Sequence, residues 1–307
     1  MVSVERVNEY GNLPSEADLS TGHDDNVGDS WPEDPSISTS DLTVRYRASL
    51  PPALKGISFE VKRGQRVGIC GRTGSGKSSL VQALFRLLEA EHGTIQIGGV
   101  DISKLGLHKL RQCMSVIPQS PVLFSGTSIR FNLDPFSVYS DKTIRAALAD
   151  AQILDAVDEL PEGLYSIVAE AGSNFSVGQR QLLCLARAIL RKSKILILDE
   201  SGANIDNQTD ALLQLAISIS FRDATILSVA HRLGSIIDHD LVLVLGDGKV
   251  LEYGPPAELL SRSGCDDNDE SDCVERSGGH FASMVDATGD QMAKSLRKSA
   301  TIGPMKR

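Results

Sequence analysis

One segment limits what this chain can fold into more than any other. Arg66-Val67-Gly68-Ile69-Cys70 is a short apolar run, and it stops on Gly71-Arg72-Thr73-Gly74-Ser75-Gly76-Lys77-Ser78. Ser79-Leu80-Val81-Gln82-Ala83-Leu84-Phe85 then continues at helical spacing. A strand, a glycine loop and a helix in that order read G-x-x-x-x-G-K-[ST] in the context the pattern requires. Its glycines let backbone N–H groups wrap phosphates, Lys77 reaches the outer phosphate oxygens, and the Ser78 hydroxyl can ligate Mg²⁺. A plain glycine-rich turn is the competing reading, and the Lys-Ser pair with these flanks counts against it. The loop alone says only nucleotide, since kinases, GTPases and motors share it.

Further short strands are expected at 42–46 and 57–61, and buried ones at 113–117, 194–198, 224–230 and 240–245. Helical patterns fall at 77–88, 140–150, 176–191 and 207–219. Strands alternating with helices predict an α/β domain with a parallel sheet covered on both faces, over about 41–260. Lys194-Ile195-Leu196-Ile197-Leu198-Asp199-Glu200 is a buried strand ending in two carboxylates. Neighbours on a strand point to opposite sides, so the two carry different tasks. Asp199 fits the Mg²⁺ partner, and Glu200 fits the residue that polarises attacking water. Two solvated charges at a strand end would be the bland reading.

Composition excludes more than it suggests. The 307 residues carry a formal net charge of −9, which argues against a broad nucleic-acid face. No apolar run reaches the length of a membrane span, and no signal peptide is expected at the start. The 5 cysteines form no metal-binding spacing; Cys70, Cys113 and Cys184 lie among apolar residues and read as buried reduced thiols. Residues 1–40 are acidic and rich in Ser, Gly, Asp and Pro, and read as linker, with Ser3 to Tyr10 as the last turns of a helix. A second acidic segment, Cys265 to Asp272, reads as a surface loop, and the basic end from Lys294 to Arg307 as a disordered tail.

One helix start needs a further reason. Ser176 suits an N-cap and Gln179 completes a capping box, yet Gly178 weakens the first turn. Glycine there permits close approach to the backbone, and a helix N-terminus attracts anions. Ser176-Val177-Gly178-Gln179 resembles the signature motif of the ATP-binding cassette (ABC) family, with Val177 where many members have Gly. The resemblance runs in order through nearly all of 41–260. It implies a P-loop NTPase (RecA-like) α/β core with a mostly parallel sheet, an antiparallel β-subdomain and an α-helical signature subdomain at about 120–190.

The resemblance also assigns residues. Tyr46 matches the aromatic that stacks on adenine. Gly71, Arg72, Thr73, Gly74, Ser75, Gly76, Lys77, Ser78 and Ser79 form the phosphate cradle for ATP, with Ser78, Gln119 and Asp199 around Mg²⁺. Gln119 matches the Q-loop glutamine, which senses Mg²⁺ and the attacking water and links the cassette to its transmembrane partner. Glu200, His231 (the switch histidine) and Gln119 form the catalytic set. Ser176, Gly178, Gln179 and the D-loop residue Asp206 act toward a second cassette in a head-to-tail dimer. Lone Tyr or His residues at such places are usually packing groups, so these roles rest on the family register.

Pro121 to Pro135, with Asn132-Leu133-Asp134-Pro135, resembles the exporter type and its C subfamily, which contains the multidrug-resistance-associated transporters. Gly71-Arg72-Thr73-Gly74, Ser-Val-Gly-Gln-Arg-Gln and Glu200 are similar to the second, C-terminal cassette. The implied organisation is linker after a missing transmembrane domain (1–40), cassette (41–262), then acidic insertion, short helix and basic tail (263–307). The implied location is the cytosolic face of a membrane. Ser201-Gly202-Ala203-Asn204 and Phe175 depart from the family pattern. A nucleotide-sensing regulatory cassette and a soluble ABC ATPase remain as alternatives. No Asn-Lys-x-Asp segment supports a GTPase, and a P-loop kinase leaves the signature helix unexplained.

Overall fold

The computed structural model describes residues 2–13, 15–28, 30–199, 207–230, 232–261 and 279–302. Among the described residues there are ten strands: β1 (Ile37–Val44), β2 (Leu54–Val61), β3 (Arg66–Cys70), β4 (Ala90–Ile97), β5 (Val100–Asp101), β6 (Met114–Ile117), β7 (Ile195–Asp199), β8 (Thr225–Val229), β9 (Leu241–Gly246) and β10 (Lys249–Gly254). The helices are α1 (Val2–Gly11), α2 (Lys77–Leu84), α3 (Leu107–Cys113), α4 (Ile129–Leu133), α5 (Asp141–Asp150), α6 (Leu154–Asp158), α7 (Val177–Arg191), α8 (Asn207–Ser220), α9 (Pro256–Ser261), α10 (His280–Asp286) and α11 (Asp290–Ile302).

Two sheets organise the chain. An antiparallel sheet has the order β2-β1-β4-β5, and a six-stranded sheet has the order β10-β9-β3-β8-β7-β6. The second sheet is parallel from β9 to β6, and β10 pairs antiparallel with β9. The central strands β3, β7 and β8 are apolar on both faces because helices cover both sides. This is the P-loop NTPase α/β architecture, with an antiparallel sheet beside the core and a helical region between β6 and β7.

Three apolar clusters hold these layers. Helices α4 to α8 pack with β6, β7 and β8 around Phe175, Leu183 and Leu198. The antiparallel sheet and α2 close the opposite side around Ile57, Leu80 and Ile197. A third cluster joins α9, α10 and α11 to Cys70, Val242 and Val244. Gly68 belongs to this packing, since a Cβ there would lie 2.5 Å from Cβ of Ile236.

Both termini depart from the sequence reading. The stretch read as linker up to residue 40 already contains the first half of β1, which starts at Ile37. Ahead of it the chain is strapped to the domain. Glu16 pairs with Arg111 at 2.9 Å, and the amides of Leu107 and His108 donate to the carbonyls of Asp18 and Leu19. The amide of Gly106 donates to Asp24 at 2.8 Å. Lys194 Nζ donates to the carbonyls of Ser30 (2.7 Å) and Pro32 (2.9 Å), and Trp31 is buried. Acidic composition suggested a loose chain, but these acids and carbonyls are partners for specific donors. The end read as a disordered tail from Lys294 is instead mostly α11, because Ala293, Leu296 and Ala300 bury one face of it. The acidic segment Cys265 to Asp272 lies outside the described residues.

Candidate nucleotide site

The loop Gly71–Ser78 leaves the C-terminal end of β3, the third strand in the order of the six-stranded sheet. Two of its glycines are required by the chain itself. Gly71 has φ +149°, and a Cβ would meet the carbonyl oxygen of Leu245 at 2.2 Å. Gly76 has φ +106°, and a Cβ would meet Leu54 Cδ2 at 2.7 Å. Gly74 has φ +81° with open space around it, so its backbone is accessible to a ligand. The loop is tied to the β9–β10 turn, since Gly248 donates its amide to Ser75 O at 3.1 Å.

Lys77 sits at the first position of α2 and is buried. Its Nζ donates to Gly71 O (2.8 Å) and Arg72 O (3.2 Å), so the ammonium lies inside the curve of its own loop. Burial lowers its pKa below the usual lysine value, against the opposing pull of Cys70 and Asp199. A desolvated cation beside a helix N-terminus attracts an anion strongly. Ser78 is exposed next to it, Arg72, Thr73 and Gly74 are exposed in the loop, and Ser75 and Ser79 are buried.

Parallel strands bring the other groups to the same edge. Register aligns Ile69 with Val229, and Val229 with Asp199. With about 4.8 Å between strands, Asp199 lies on the order of 10 Å along the edge from the end of β3. It is half-buried and close enough to act on the charge of Lys77. Gln119 is exposed just beyond β6, whose Ile117 pairs with Leu198. A crevice at the carboxyl ends of parallel strands is where open α/β sheets bind ligands. Tyr46 follows β1 and reaches the first turn of α2, with its hydroxyl 3.1 Å from Ser79 Oγ.

The helix start at Ser176 has the geometry its letters predict. The Ser176 hydroxyl accepts from the Gln179 amide at 3.1 Å, and the Gln179 side chain accepts from the Ser176 amide at 2.9 Å. Gly178 is buried, while Ser176 is exposed. The turn before it is pinned by Arg180, which donates to Ala171 O at 2.6 Å. A cavity of about 1140 Å³ touches Gly71, Arg72, Thr73 and Ser75 and runs on to His239, His280, Met284 and Leu296; Lys77, Ser78, Tyr46, Asp199 and the Ser176 turn are not among its described lining residues. Glu200, Asp206 and His231 lie outside the described residues.

Sequence reading passed over a second anchor. Arg187 donates from Nε to Asn132 O (2.7 Å), from Nη2 to Asn132 Oδ1 (2.8 Å) and from Nη1 to Val122 O (2.9 Å). This holds the segment after Gln119 against α7. An arginine set within the apolar run Leu182–Leu190 of this helix was the available signal.

Residues 54–203 match the family model described as ABC transporter. ATP-binding cassette sub-family C member 2 of Rattus norvegicus is 50% identical over 264 residues, 86% of this chain and 17% of that protein. ABC transporter C family member 8 of Dictyostelium discoideum is 50% identical over 260 residues, 85% of this chain and 16% of that protein. The probable multidrug resistance-associated protein lethal(2)03659 of Drosophila melanogaster is 49% identical over 265 residues, 86% and 19% of the two chains. The structure of a bacterial Atm1-family ABC exporter with ATP bound superposes with a TM-score of 0.79 at 29% identity, covering 94% of this chain and 47% of that one. The chain thus carries a nucleotide-binding cassette of the ABC transporter family. Within that family it is a cassette of the C-subfamily, multidrug-resistance-associated type, and it spans less than a fifth of the length of these three relatives.

Proposed function

We propose that this cassette binds and hydrolyses ATP as one half of a head-to-tail pair, and that hydrolysis drives export through transmembrane domains on the cytosolic face of a membrane. Among the described residues no helix is long and apolar enough to cross a membrane. The observation that carries the reading is the buried, desolvated Lys77 inside a glycine loop, with Asp199 on the same sheet edge. The features of the second, C-terminal cassette support that placement.

The residues present fit the ligands. The open backbone at Gly74, the N-terminus of α2 and Lys77 would hold the triphosphate, with Arg72, Thr73, Ser75, Gly76 and Ser79 shaping the cradle. Tyr46 would stack on adenine. Ser78, Asp199 and Gln119 supply hard oxygen ligands for Mg²⁺, an ion that keeps waters and needs few protein groups. Bound there, the ion would neutralise charge developing on the transferred phosphoryl group. Glu200 accepts a proton from the attacking water, and His231 holds the γ-phosphate end. Lys77 stabilises the same negative charge from the loop side. Ser176, Gly178, Gln179 and Asp206 face the nucleotide of the partner cassette. Half of each site is thus supplied by the other cassette, so a single copy turns over slowly.

A groove of about 560 Å³ beside Gln119, lined by Leu87, Arg111, Val116, Pro118, Val122 and Arg187, supports contact with a transmembrane domain. Motion of that domain would follow closing and opening of the pair.

Light scattering on the Glu200→Gln chain with Mg²⁺ and ATP tests the pairing. The expected result is a dimer that forms with ATP and is lost on Ser176→Arg. A dimer indifferent to Ser176→Arg would remove the signature turn from the partner's site.

A further inference from the structure

The strap ahead of β1 touches α2, β7 and β8, in each case at the end away from the phosphate loop. Lys77 opens α2, and the other end of α2 meets Arg111, which donates from Nε to Phe85 O at 3.1 Å and from Nη2 to Arg86 O at 3.3 Å. The outer edge of the same guanidinium is held by the Glu16 carboxylate, at 2.9 and 3.1 Å. Asp199 ends β7, and Lys194 just ahead of that strand donates to the strap carbonyls of Ser30 and Pro32. Thr225 opens β8, which lies between β7 and β3, and its hydroxyl donates to Pro35 O at 2.7 Å.

Arg111 has the most direct route to the phosphates. A helix leaves its last carbonyls without partners of its own, and α2 stops at a left-handed residue, Arg86, with φ 50°. The guanidinium of Arg111 supplies donors to two carbonyls there. It also lies at the negative end of the dipole whose positive end faces the phosphate loop. Its planar fork can take both carbonyls and a carboxylate together, which a lysine cannot. The strap carbonyls of Asp18 and Leu19 accept the first amides of α3, the helix that carries Arg111. The strap therefore holds both the helix beneath Arg111 and the charge beside it. We infer that Arg111 is a positioning residue for the phosphate loop, acting through α2, and that the strap fixes it through Glu16. This rests on the seating of the triphosphate proposed at Lys77 and adds the groups that steady α2 from its far end. The ordering of that end is met in the free protein, which is how preorganisation raises affinity. The effect falls on the phosphates and leaves the base aside.

The test is calorimetric titration of the whole chain with two ligands, inorganic tripolyphosphate with Mg²⁺ and ATP with Mg²⁺. Arg111→Ala should weaken both by the same factor, about threefold to tenfold, the scale of a partly buried charge at a helix end. Glu16, whose side chain is 55% exposed, contributes less. Glu16→Gln should weaken both ligands about twofold to threefold, as an exposed ion pair does. Added to Arg111→Ala, Glu16→Gln should cost nothing further, since it acts through the arginine. By linkage, tripolyphosphate should raise the hydrogen-exchange protection of Leu107 and His108 in the unsubstituted chain and leave it unchanged in Arg111→Ala. Full affinity in Arg111→Ala beside a lower melting temperature would make Arg111 a surface cap only, and overturns the inference. A Glu16→Gln loss that adds in full to that of Arg111→Ala overturns the part given to the strap. Lys77→Ala separates the layers. Weak tripolyphosphate binding in Lys77→Ala with normal binding in Arg111→Ala discards the positioning role alone. Normal binding in Lys77→Ala discards the phosphate seating, and the positioning role with it.

Discussion

Lys77 shows how a single residue can be legible in name and opaque in state. Four letters around it identify a phosphate loop, because glycine geometry and a lysine at a helix start act locally. That its ammonium bonds Gly71 O and Arg72 O, and that burial depresses its pKa against the pull of Asp199 far along the chain, is a matter of the folded state. The Ser176–Gln179 capping box was fully legible for the same local reason. The Tyr46–Ser79 contact was not, since nothing in the sequence links positions 33 apart. The cysteines permit a direct check at this scale. Burial pushes the Cys70 and Cys113 thiols up to about 12, and raises Cys184 despite nearby Arg187. Thiolate is the reactive form, so all three should resist iodoacetamide at pH 8 in the native chain and label fully in urea, read peptide by peptide in a mass spectrometer. Native labelling at any of the three would contradict the burial.

At the scale of elements, the parallel strands were readable because burial on both faces writes them as apolar runs. Strand β4 was not: its first five residues are exposed and its apolar residues come only at the end. The N-terminal strap was missed because its anchors are backbone carbonyls and two acids, which composition counts as linker. Those acids make the strap sensitive to pH. The hydrogen bond and charge of Arg111 hold the Glu16 carboxyl below its ordinary range, and the Gly106 amide does the same for Asp24. A depressed carboxylate contributes above its unfolded pKa and loses that contribution as pH falls through the folded value. The strap should therefore hold at pH 6 and loosen below about pH 4, the range set by ordinary carboxylates. Hydrogen exchange at Leu107 and His108, expressed as protection factors, should fall over that interval, and Glu16→Gln should lower protection already at pH 6. Protection that is flat from pH 6 to pH 3 would rule the strap carboxylates out as anchors.

For the whole molecule, the three clusters are not independent, because the central sheet belongs to all of them. Cys70, the last residue before the phosphate loop, lies in the cluster that α10 and α11 cover. Phe281 is fully buried there, and the Glu252 carboxylate accepts the amides of His280 (2.7 Å) and Phe281 (2.9 Å) at the start of α10. Phe281→Ala should cost about 3–5 kcal/mol. The loss should appear as a lower urea midpoint with an unchanged slope, provided the chain unfolds as one unit. A transition that splits in two would show that the C-terminal helices are a separate layer with little hold on the nucleotide loop.

The capping box of α7 has a consequence for electrostatics. A serine hydroxyl owns one proton and two lone pairs. In the box, Ser176 oxygen is an acceptor, engaged by the Gln179 amide. The proton is left over, and the helix beneath has already chosen the rotamer of the group that carries it. The cap thus fixes where the hydroxyl oxygen sits and leaves its proton free to turn to an outside acceptor, at the positive end of a fifteen-residue dipole. Stability of the helix and attraction for an outside oxyanion come from opposite sides of one oxygen atom, so neither is obtained at the expense of the other.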